Sequence, residues 1–115
     1  MIPTNEQIVH DLATAWRTLN PELIIKHLAP EFRYDSMWVF ESLDCEGYAN
    51  YIRGKFETIN RSGSQLDVQE VPGRKAISIS QDGKKPAYYV IKIKEGKIVK
   101  GDLTAFVEFS EPLSE

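Results

Sequence analysis

Residues 4–40 read TNEQIVHDLATAWRTLNPELIIKHLAPEFRYDSMWVF, and this stretch decides the fold class. Residues 4–7 match the capping box of a helix N-terminus, and apolar residues then recur with helical spacing as far as Leu19. Asn20 and Pro21 predict the start of a second, short helix, which should end at residues 28–30 because proline cannot continue it. From Phe32 to Phe40 the apolar period changes to two, which predicts β-structure.

Downstream of this stretch, the sequence predicts a third helix and four strands. Asp44 is placed to cap a helix that runs to about Asn60. Apolar runs between turn signals predict strands over residues 65–71, 76–81, 87–94 and 98–109, with a hairpin turn at residues 95–96. This order indicates an α+β domain in which three helices from the N-terminal half pack on a mostly antiparallel sheet. Residues 110–115 are expected to form a loose tail.

The composition is that of a single globular domain. The chain has 115 residues, of which 42% are hydrophobic and 27% are charged, and a chain of this length can bury one core without a metal or a disulfide. The sequence shows no secretory signal and no apolar run of about 20 residues that could span a membrane. The single cysteine, Cys45, cannot form an internal disulfide. We therefore expect a cytoplasmic protein without a membrane partner.

The net charge of −3 is unevenly distributed along the chain. The segment from Arg74 to Lys100 holds eight basic and two acidic residues, a net charge of +6, while the rest of the chain carries −9. One interpretation is a basic face for an anionic ligand or a nucleic acid. We favour the other, lysines on the solvent side of strands, because no aromatic residues interleave with them in a stacking pattern. No nucleic-acid partner is expected.

Motifs for metals, nucleotides and serine hydrolases are missing from the sequence. One cysteine and two histidines cannot build a Cys/His zinc site, and no HExxH, GxGxxG, GxxxxGK[ST] or GxSxG motif occurs. We therefore expect neither a metal nor a cofactor. Cys45 would be a nucleophile only if a helix N-terminus stabilised its thiolate, and its place on the apolar arc of the third helix favours the core.

A few titratable residues are candidates for acid–base chemistry. His27 falls on the apolar side of the second helix, where it could be a general base or a hydrogen-bonded histidine at the edge of the core. Asp35, Glu41 and Asp102 lie where strand alternation could aim one carboxylate inward, and an apolar pocket would raise its pKa. Asp35 and His27 are the candidate catalytic residues, although each acid taken singly is also compatible with a place on the surface.

Aromatic residues are the more suggestive group. They come from elements expected to pack around one core, and aromatic walls with a few polar groups are typical of small-molecule pockets. An aromatic-rich core would use the same residues, so both interpretations stay open. The predicted ligand-binding residues are Trp16, Tyr34, Trp38, Phe40, Tyr48 and Tyr89.

Over nearly its whole length, residues 1–115, the chain resembles a single domain of the nuclear-transport-factor-2-like superfamily, also called SnoaL-like or ketosteroid-isomerase-like. The resemblance rests on the order of elements, on the step LAPEFRY at residues 28–34 and on the hairpin EGKIV at residues 95–99. It implies a curved, cystatin-like sheet wrapped around helices, with a conical cavity, and a homodimer that meets through the open sheet face. The isomerase members use a tyrosine on helix one, where Trp16 stands here, and an aspartate near the position of Asp35 or Ser36.

These observations lead to three functional expectations. The first is a domain that binds a small, mostly apolar molecule in a conical pocket, with no assignable catalytic set. The second is a proton-transfer enzyme of the isomerase or dehydratase type that uses Asp35 or His27 as its base. The third is a dimeric protein-interaction module. Fold alone does not choose among them.

Overall fold

Ten elements follow one another in the structure, a computed structural model that describes residues 2–114, apart from the side chains of Val39 and Phe40. The sheet order is β2-β1-β6-β5-β4-β3. The elements are α1 (Asn5–Thr18), α2 (Glu22–Ile25), β1 (Leu28–Ser36), β2 (Val39–Asp44), α3 (Cys45–Ser62), β3 (Leu66–Glu70), β4 (Ala76–Gln81), β5 (Ala87–Lys94), β6 (Lys97–Thr104) and a short 3-10 helix (Val107–Phe109).

The described sheet is antiparallel except where β1 lies parallel to β6. Register shifts occur in β1 between residues 28 and 33 and between residues 34 and 36, and in β5 between residues 92 and 93. Such irregularities bend strands and strengthen their twist. Three helices on a curved, mostly antiparallel sheet confirm the predicted α+β class.

Alternation along the strands gives the sheet two different faces. The inner face, which the helices cover, includes the row formed by Tyr34, Gly101 and Ile91, which are cross-strand partners. Tyr34 on this face contacts the ring of Tyr48 from α3. The opposite, outer face carries the neighbouring row, in which Asp35, Asp102, Val90 and Ala76 pair across four strands.

The two long helices are capped as predicted. Thr4 Oγ1 accepts from the Gln7 backbone N–H at 3.1 Å, and Gln7 Oε1 accepts from the Thr4 backbone N–H at 2.8 Å, which completes the capping box. Asp44 Oδ1 accepts from the Gly47 backbone N–H at 2.8 Å at the start of α3. Gly63, with φ +70°, ends this helix in the left-handed conformation that glycine adopts without strain.

The predicted extent of the second helix is wrong. Helix α2 covers only Glu22–Ile25, and residues 28–30 begin β1 instead of ending a helix. Leu28 pairs with Ile98, and the next regular partners are Arg33 and Lys100. Pro30 is therefore tolerated because it lies in the irregular part of the ladder, where its missing N–H breaks no regular pairing.

The C-terminal end also departs from expectation. Strand β6 ends at Thr104, and a 3-10 turn interrupts the strand predicted to reach residue 109. Residues 107–114, here called the C-terminal strap, then dock on the turn before β4. The Lys75 backbone N–H donates to the Glu111 carbonyl and the Leu113 N–H donates to the Gly73 carbonyl, each at 2.9 Å. The expectation of a loose tail is therefore wrong for the described residues 110–114.

One contiguous apolar cluster fills the space between the helices and the inner face. The basic segment is mostly exposed, as expected for lysines on the solvent side of strands, but Lys75 is an exception with only 2% exposure. The strap supplies its partner, since Glu111 Oε1 lies 3.7 Å from Lys75 Nζ. None of the described helices combines the length and the apolar composition that a membrane span requires.

Candidate functional site

Four tyrosines meet between α3 and the inner face, and we call them the tyrosine cluster: Tyr34, Tyr48, Tyr51 and Tyr89. The Tyr34 and Tyr48 ring centroids are 4.6 Å apart, and Tyr34 lies 5.8 Å from Tyr51 and 6.0 Å from Tyr89. Tyr48 and Tyr51 are one helical turn apart on α3, which places both on the side that faces the sheet.

A glycine between two strands makes this arrangement possible. Tyr34 and Tyr89 come from β1 and β5, which flank β6, and Gly101 of β6 is the cross-strand partner of Tyr34. A Cβ at Gly101 would lie 2.5 Å from the Tyr89 hydroxyl oxygen and 3.0 Å from Tyr89 Cζ. The Tyr89 ring therefore lies over the backbone of β6, in space that any side chain at residue 101 would occupy.

Several donors in this interior have no hydrogen-bond partner among the described residues. They are the Tyr48 hydroxyl, the Tyr89 hydroxyl and Trp16 Nε1. Burial raises the pKa of Tyr89, and the neighbouring Tyr48 adds to this effect. Burial likewise raises the pKa of Tyr48 and of Tyr34. All three phenols are therefore neutral donors at neutral pH.

The structure brings together four of the six predicted ligand-binding residues. Trp16, Tyr34, Tyr48 and Tyr89 are each at most 4% exposed and belong to the core cluster. The three tyrosine rings pack against one another and Tyr48 against Phe32, while Trp16 packs against Phe56. The interior is therefore filled in this structure and does not form the open conical cavity that the resemblance implied. Close packing is favourable because it buries the aromatic surface and gains dispersion energy. The ligand-binding role of these four residues stays a prediction.

The other two predicted ligand-binding residues do not join them. Trp38 lies in the turn between β1 and β2 and is 55% exposed. The side chain of Phe40 lies outside the described residues.

An open groove adjoins the tyrosine cluster along one side of α3, and we call it the α3 groove. Its volume is about 450 Å³. Tyr51 and Ile59 belong both to the groove and to the packed interior, so the groove lies directly beside the cluster. Its lining residues are Tyr51, Gly54, Lys55, Thr58, Ile59, Ser62, Ser64 and Gln81.

The polar groups of the groove are arranged unequally. Ser64 Oγ lies 2.8 Å from Ser62 Oγ and accepts a hydrogen bond from Gln81 Nε2 at 3.0 Å, so these three polar side chains already have partners within the groove. Lys55 lies 5.9 Å from the centroid of the Tyr51 ring and has no ion pair with a described residue. The groove therefore offers one uncompensated cation beside an aromatic wall.

The two candidate bases lie apart from the cluster. Asp35 is on the outer face, next to its cross-strand partner Asp102, because alternation turns it away from Tyr34. His27 is buried at the junction of α1 and α2, where its Nε2 lies 2.8 Å from Asp11 Oδ2. The Lys26 ammonium lies 3.3 Å from the same oxygen, so His27 belongs to a local polar cluster at the edge of the core.

Cys45 lacks the environment of an activated thiol. Burial raises its pKa, and the adjacent carboxylates of Asp44 and Glu46 raise it further. Within residues 2–114, no group of three or more histidine, cysteine or acidic side chains is placed to hold a metal ion.

Reasoning from sequence missed three residues that shape the site. Gly101 makes room for Tyr89, Gly54 lies in the groove, and Lys55 provides its cation. Gly54 gave a signal, since glycine in the middle of a predicted helix costs about 1 kcal/mol relative to alanine. A Cβ on Gly54 would meet nothing within 4 Å, so this glycine leaves open space above α3.

Comparisons with known proteins give likeness at the level of the fold. No family model and no curated protein matches the sequence. A SnoaL-like structure from Burkholderia thailandensis superposes with a TM-score of 0.65 at 17% identity and covers 86% of this chain and 91% of its own. An NTF2-like structure from Cytophaga hutchinsonii superposes with a TM-score of 0.60 at 17% identity, and the match covers 87% of this chain and 88% of that one. A candidate polyketide cyclase from Pseudomonas putida superposes with a TM-score of 0.58 at 13% identity, and the match covers 92% of this chain and 94% of that one.

These structures share the architecture of the chain across most of its length, at identities that carry the fold and not the activity. The chain therefore has the fold of the nuclear-transport-factor-2-like and SnoaL-like proteins.

Proposed function

We propose that this protein binds a small, mostly apolar molecule that carries an anionic or hydrogen-bond-accepting oxygen. The molecule enters through the α3 groove and directs its oxygen towards the tyrosine cluster. Lys55 and Tyr51 form the outer part of the site, and the hydroxyls of Tyr48 and Tyr89 form the inner part. No residue of this site is assigned a catalytic role.

The unpartnered donors behind the groove are the observation that carries this proposal. A buried donor without a partner costs about 1–3 kcal/mol, and native structures contain few of them. Here two phenol hydroxyls and an indole N–H lie in one aromatic interior without an acceptor. An acceptor oxygen on a guest molecule would satisfy such donors, while its apolar body would pack on the aromatic rings.

The groove supplies the access that the filled interior lacks. Its volume of about 450 Å³ is within the range of small-molecule sites. The space above Gly54 is open, and Lys55 has no acidic partner among the described residues. An anionic group is therefore the natural complement of the groove, and a rotation of Tyr51 would extend the site inward.

The proton-transfer alternative requires a base close to the bound molecule. A general base acts at about 3 Å from the proton that it removes. Asp35 lies on the outer face, and His27 is engaged with Asp11. Neither residue lines the α3 groove, so the geometry favours binding over this chemistry.

We suggest 3-phenylpropanoate as a first probe, followed by assigned amide NMR spectra during titration. The proposal expects shifts at Gly54, Thr58 and neighbouring groove residues, and weaker binding of the uncharged 3-phenylpropanol. Gly54→Leu should weaken binding of the probe about tenfold or more by filling the groove. Gly54→Ala is the matched control, because it also raises helix propensity but adds only a methyl group.

Lys55→Met tests the charge. It should weaken binding of the propanoate about three- to tenfold and leave binding of the alcohol unchanged. Absence of groove shifts at millimolar probe, or equal effects of the Ala and Leu variants, would contradict the proposal. Mass spectrometry of the protein under native conditions would reveal any molecule that copurifies with it.

A further inference from the structure

A second cavity lies on the outer face of the sheet, at the end where β1 and β6 stop. Its volume is about 400 Å³. Its lining comes from the paired ends of β1 and β6, from β5, from the turn after β1 and from the C-terminal strap. Met37 fastens the turn, since its backbone N–H donates to the Leu103 carbonyl at 3.0 Å and its sulfur accepts from the Ala105 N–H at 3.1 Å.

Two carboxylates and two lysines lie at one side of this outer cavity. Asp35 and Asp102 lie side by side as direct cross-strand partners, and among the described residues Lys92 is the basic residue that lines the cavity with them. Lys100 stands beside the pair, 3.8 Å from Asp35 Oδ2 and 4.0 Å from Asp102 Oδ2. These distances exceed those of charge-assisted hydrogen bonds, about 2.7–2.9 Å, so the carboxylate oxygens keep free acceptor capacity.

The surroundings of Asp102 also favour a further positive charge beside the two carboxylates. Burial raises its pKa, Lys100 opposes this effect, and Asp35 adds to it. The ionised carboxylate is thus less stable here than in water, although a lysine lies near it. A further positive charge next to the pair would stabilise the ionised form.

The remaining walls of the cavity combine three apolar side chains with the hydroxyl residues Ser36 and Thr104. The apolar side chains are Val90 from the sheet, Met37 from the turn and Phe109 from the strap. Phe109 is 71% exposed, so its ring has surface left to cover. Carboxylates on one side and apolar side chains around them match a molecule with a cationic end and an apolar body.

We propose that the outer cavity binds a small organic monocation, whose ammonium N–H groups donate to Asp35 and Asp102 while its apolar body packs on Val90, Met37 and Phe109. This site is separate from the α3 groove, since it lies on the opposite face of the sheet and prefers the opposite charge. The two proposals therefore stand or fall independently.

The test uses 3-phenylpropylammonium, which has the apolar body of the propanoate probe and the opposite charge. Titration of the full chain, followed by assigned amide NMR spectra, should shift residues 35, 90, 102 and 109 and leave Gly54 and Thr58 in place. The propanoate and the uncharged 3-phenylpropanol should bind at the outer cavity at least about tenfold more weakly. Equal affinity for the three probes, or shifts confined to the α3 groove, would overturn the proposal.

Two charge variants should change the affinity for the cation in opposite directions. Asp102→Asn should weaken binding of the cation about tenfold, because it removes one ionised acceptor. Lys92→Met should tighten it about threefold, because it removes a repulsive charge from an exposed side chain. A loss of fold cannot tighten binding, so a Lys92→Met variant that binds the cation no better than the wild type would refute the proposed charge logic.

Discussion

The hydroxyl of Tyr89 occupies the space that a side chain at Gly101 would need. A Cβ on that glycine would lie 2.5 Å from the hydroxyl oxygen, and Tyr89 is 1% exposed, so the ring has little room to move. The glycine and the tyrosine are on adjacent antiparallel strands, two positions out of direct register. Their relationship fixes how closely the tyrosine cluster approaches the backbone of β6.

Gly101→Ala should destabilise the protein by about 1–3 kcal/mol, since overpacking forces neighbouring groups apart. Tyr89→Phe alone should cost little, because it removes a hydroxyl without a hydrogen-bond partner. The double variant should recover part of the loss, and only part, because Tyr89 Cζ would still lie 3.0 Å from the new methyl group. Urea denaturation of the wild type, the two single variants and the double variant measures this coupling. Strictly additive changes in the free energy of unfolding would contradict it.

The tyrosine cluster should make the protein sensitive to alkali. The folded-state pKa values of Tyr34, Tyr48 and Tyr89 are raised, mainly by burial. The unfolded chain therefore releases these protons first, and stability should fall as the pH rises above about 10. Phenolate absorbance should show that Tyr34, Tyr48 and Tyr89 ionise only when the protein unfolds. Ionisation of these three phenols below the unfolding transition would contradict this expectation.

Asp11 should stabilise the junction of α1 and α2 by accepting a hydrogen bond from His27. Burial raises the pKa of the Asp11 carboxyl, but hydrogen bonds from His27 and Lys26 outweigh burial and hold the pKa below its usual range. Asp11→Ala leaves a buried imidazole without this partner and should cost about 1–3 kcal/mol at pH 7.

The stability that Asp11 contributes should depend on pH. A carboxyl with a depressed folded-state pKa contributes stability above its unfolded value of about 3.9, and that contribution disappears as the pH falls through the folded pKa. The difference between wild type and Asp11→Ala should therefore shrink between pH 5 and pH 3 in urea denaturation. Asp11→Asn, which keeps an acceptor oxygen, should lie between them. If the stability difference between wild type and Asp11→Ala did not change with pH, the lost stability would come from packing and not from the hydrogen bond to His27.

The strap should be held by the pair of Lys75 and Glu111. Lys75 is 2% exposed, and Glu111 faces it at 3.7 Å. Glu111→Gln leaves a buried ammonium without its counter-charge and should destabilise the protein by about 1–3 kcal/mol. Glu108→Gln, on an exposed residue of the same strap, is the control and should change stability by less than about 0.5 kcal/mol. Faster amide exchange at Leu113 in the first variant would locate the effect in the strap.

The homodimer through the sheet face stays a prediction. Near the end of the sheet that carries the outer cavity, Trp38 and Phe106 are 55% and 47% exposed, which is unusual for large apolar side chains, and neither residue lines the outer cavity. If they form the contact, light scattering should give twice the chain mass, and Trp38→Ser with Phe106→Ser should reduce it to one chain. A monomer at high concentration would contradict the dimer and, with it, the dimeric interaction module.

Local signals in the sequence were sufficient for much of the fold. The capping box of α1, the Asp44 cap of α3 and the turn residues placed α1, α3, β4 and β5 almost to the residue, because each boundary depends on groups within about four positions. The extent of α2 was not predictable in this way. The segment LIIKHL at residues 23–28 fits a short helix or a strand equally well, and the pairing of Leu28 with the distant Ile98 decides where the strand begins.

For the candidate sites, local sequence patterns predicted less than they did for the fold. Local spacing was enough to put Trp16, Tyr34, Tyr48 and Tyr89 on core-facing sides of their elements, since alternation and helical periodicity set which side chains share a face, but it did not predict the exposure of Trp38. The packing in three dimensions decided that the buried rings fill the cone, that Asp35 and Asp102 lie on the outer face, and that the strap lines a second cavity. Those outcomes depend on contacts between residues far apart in the chain, where packing and not local preference selects the arrangement.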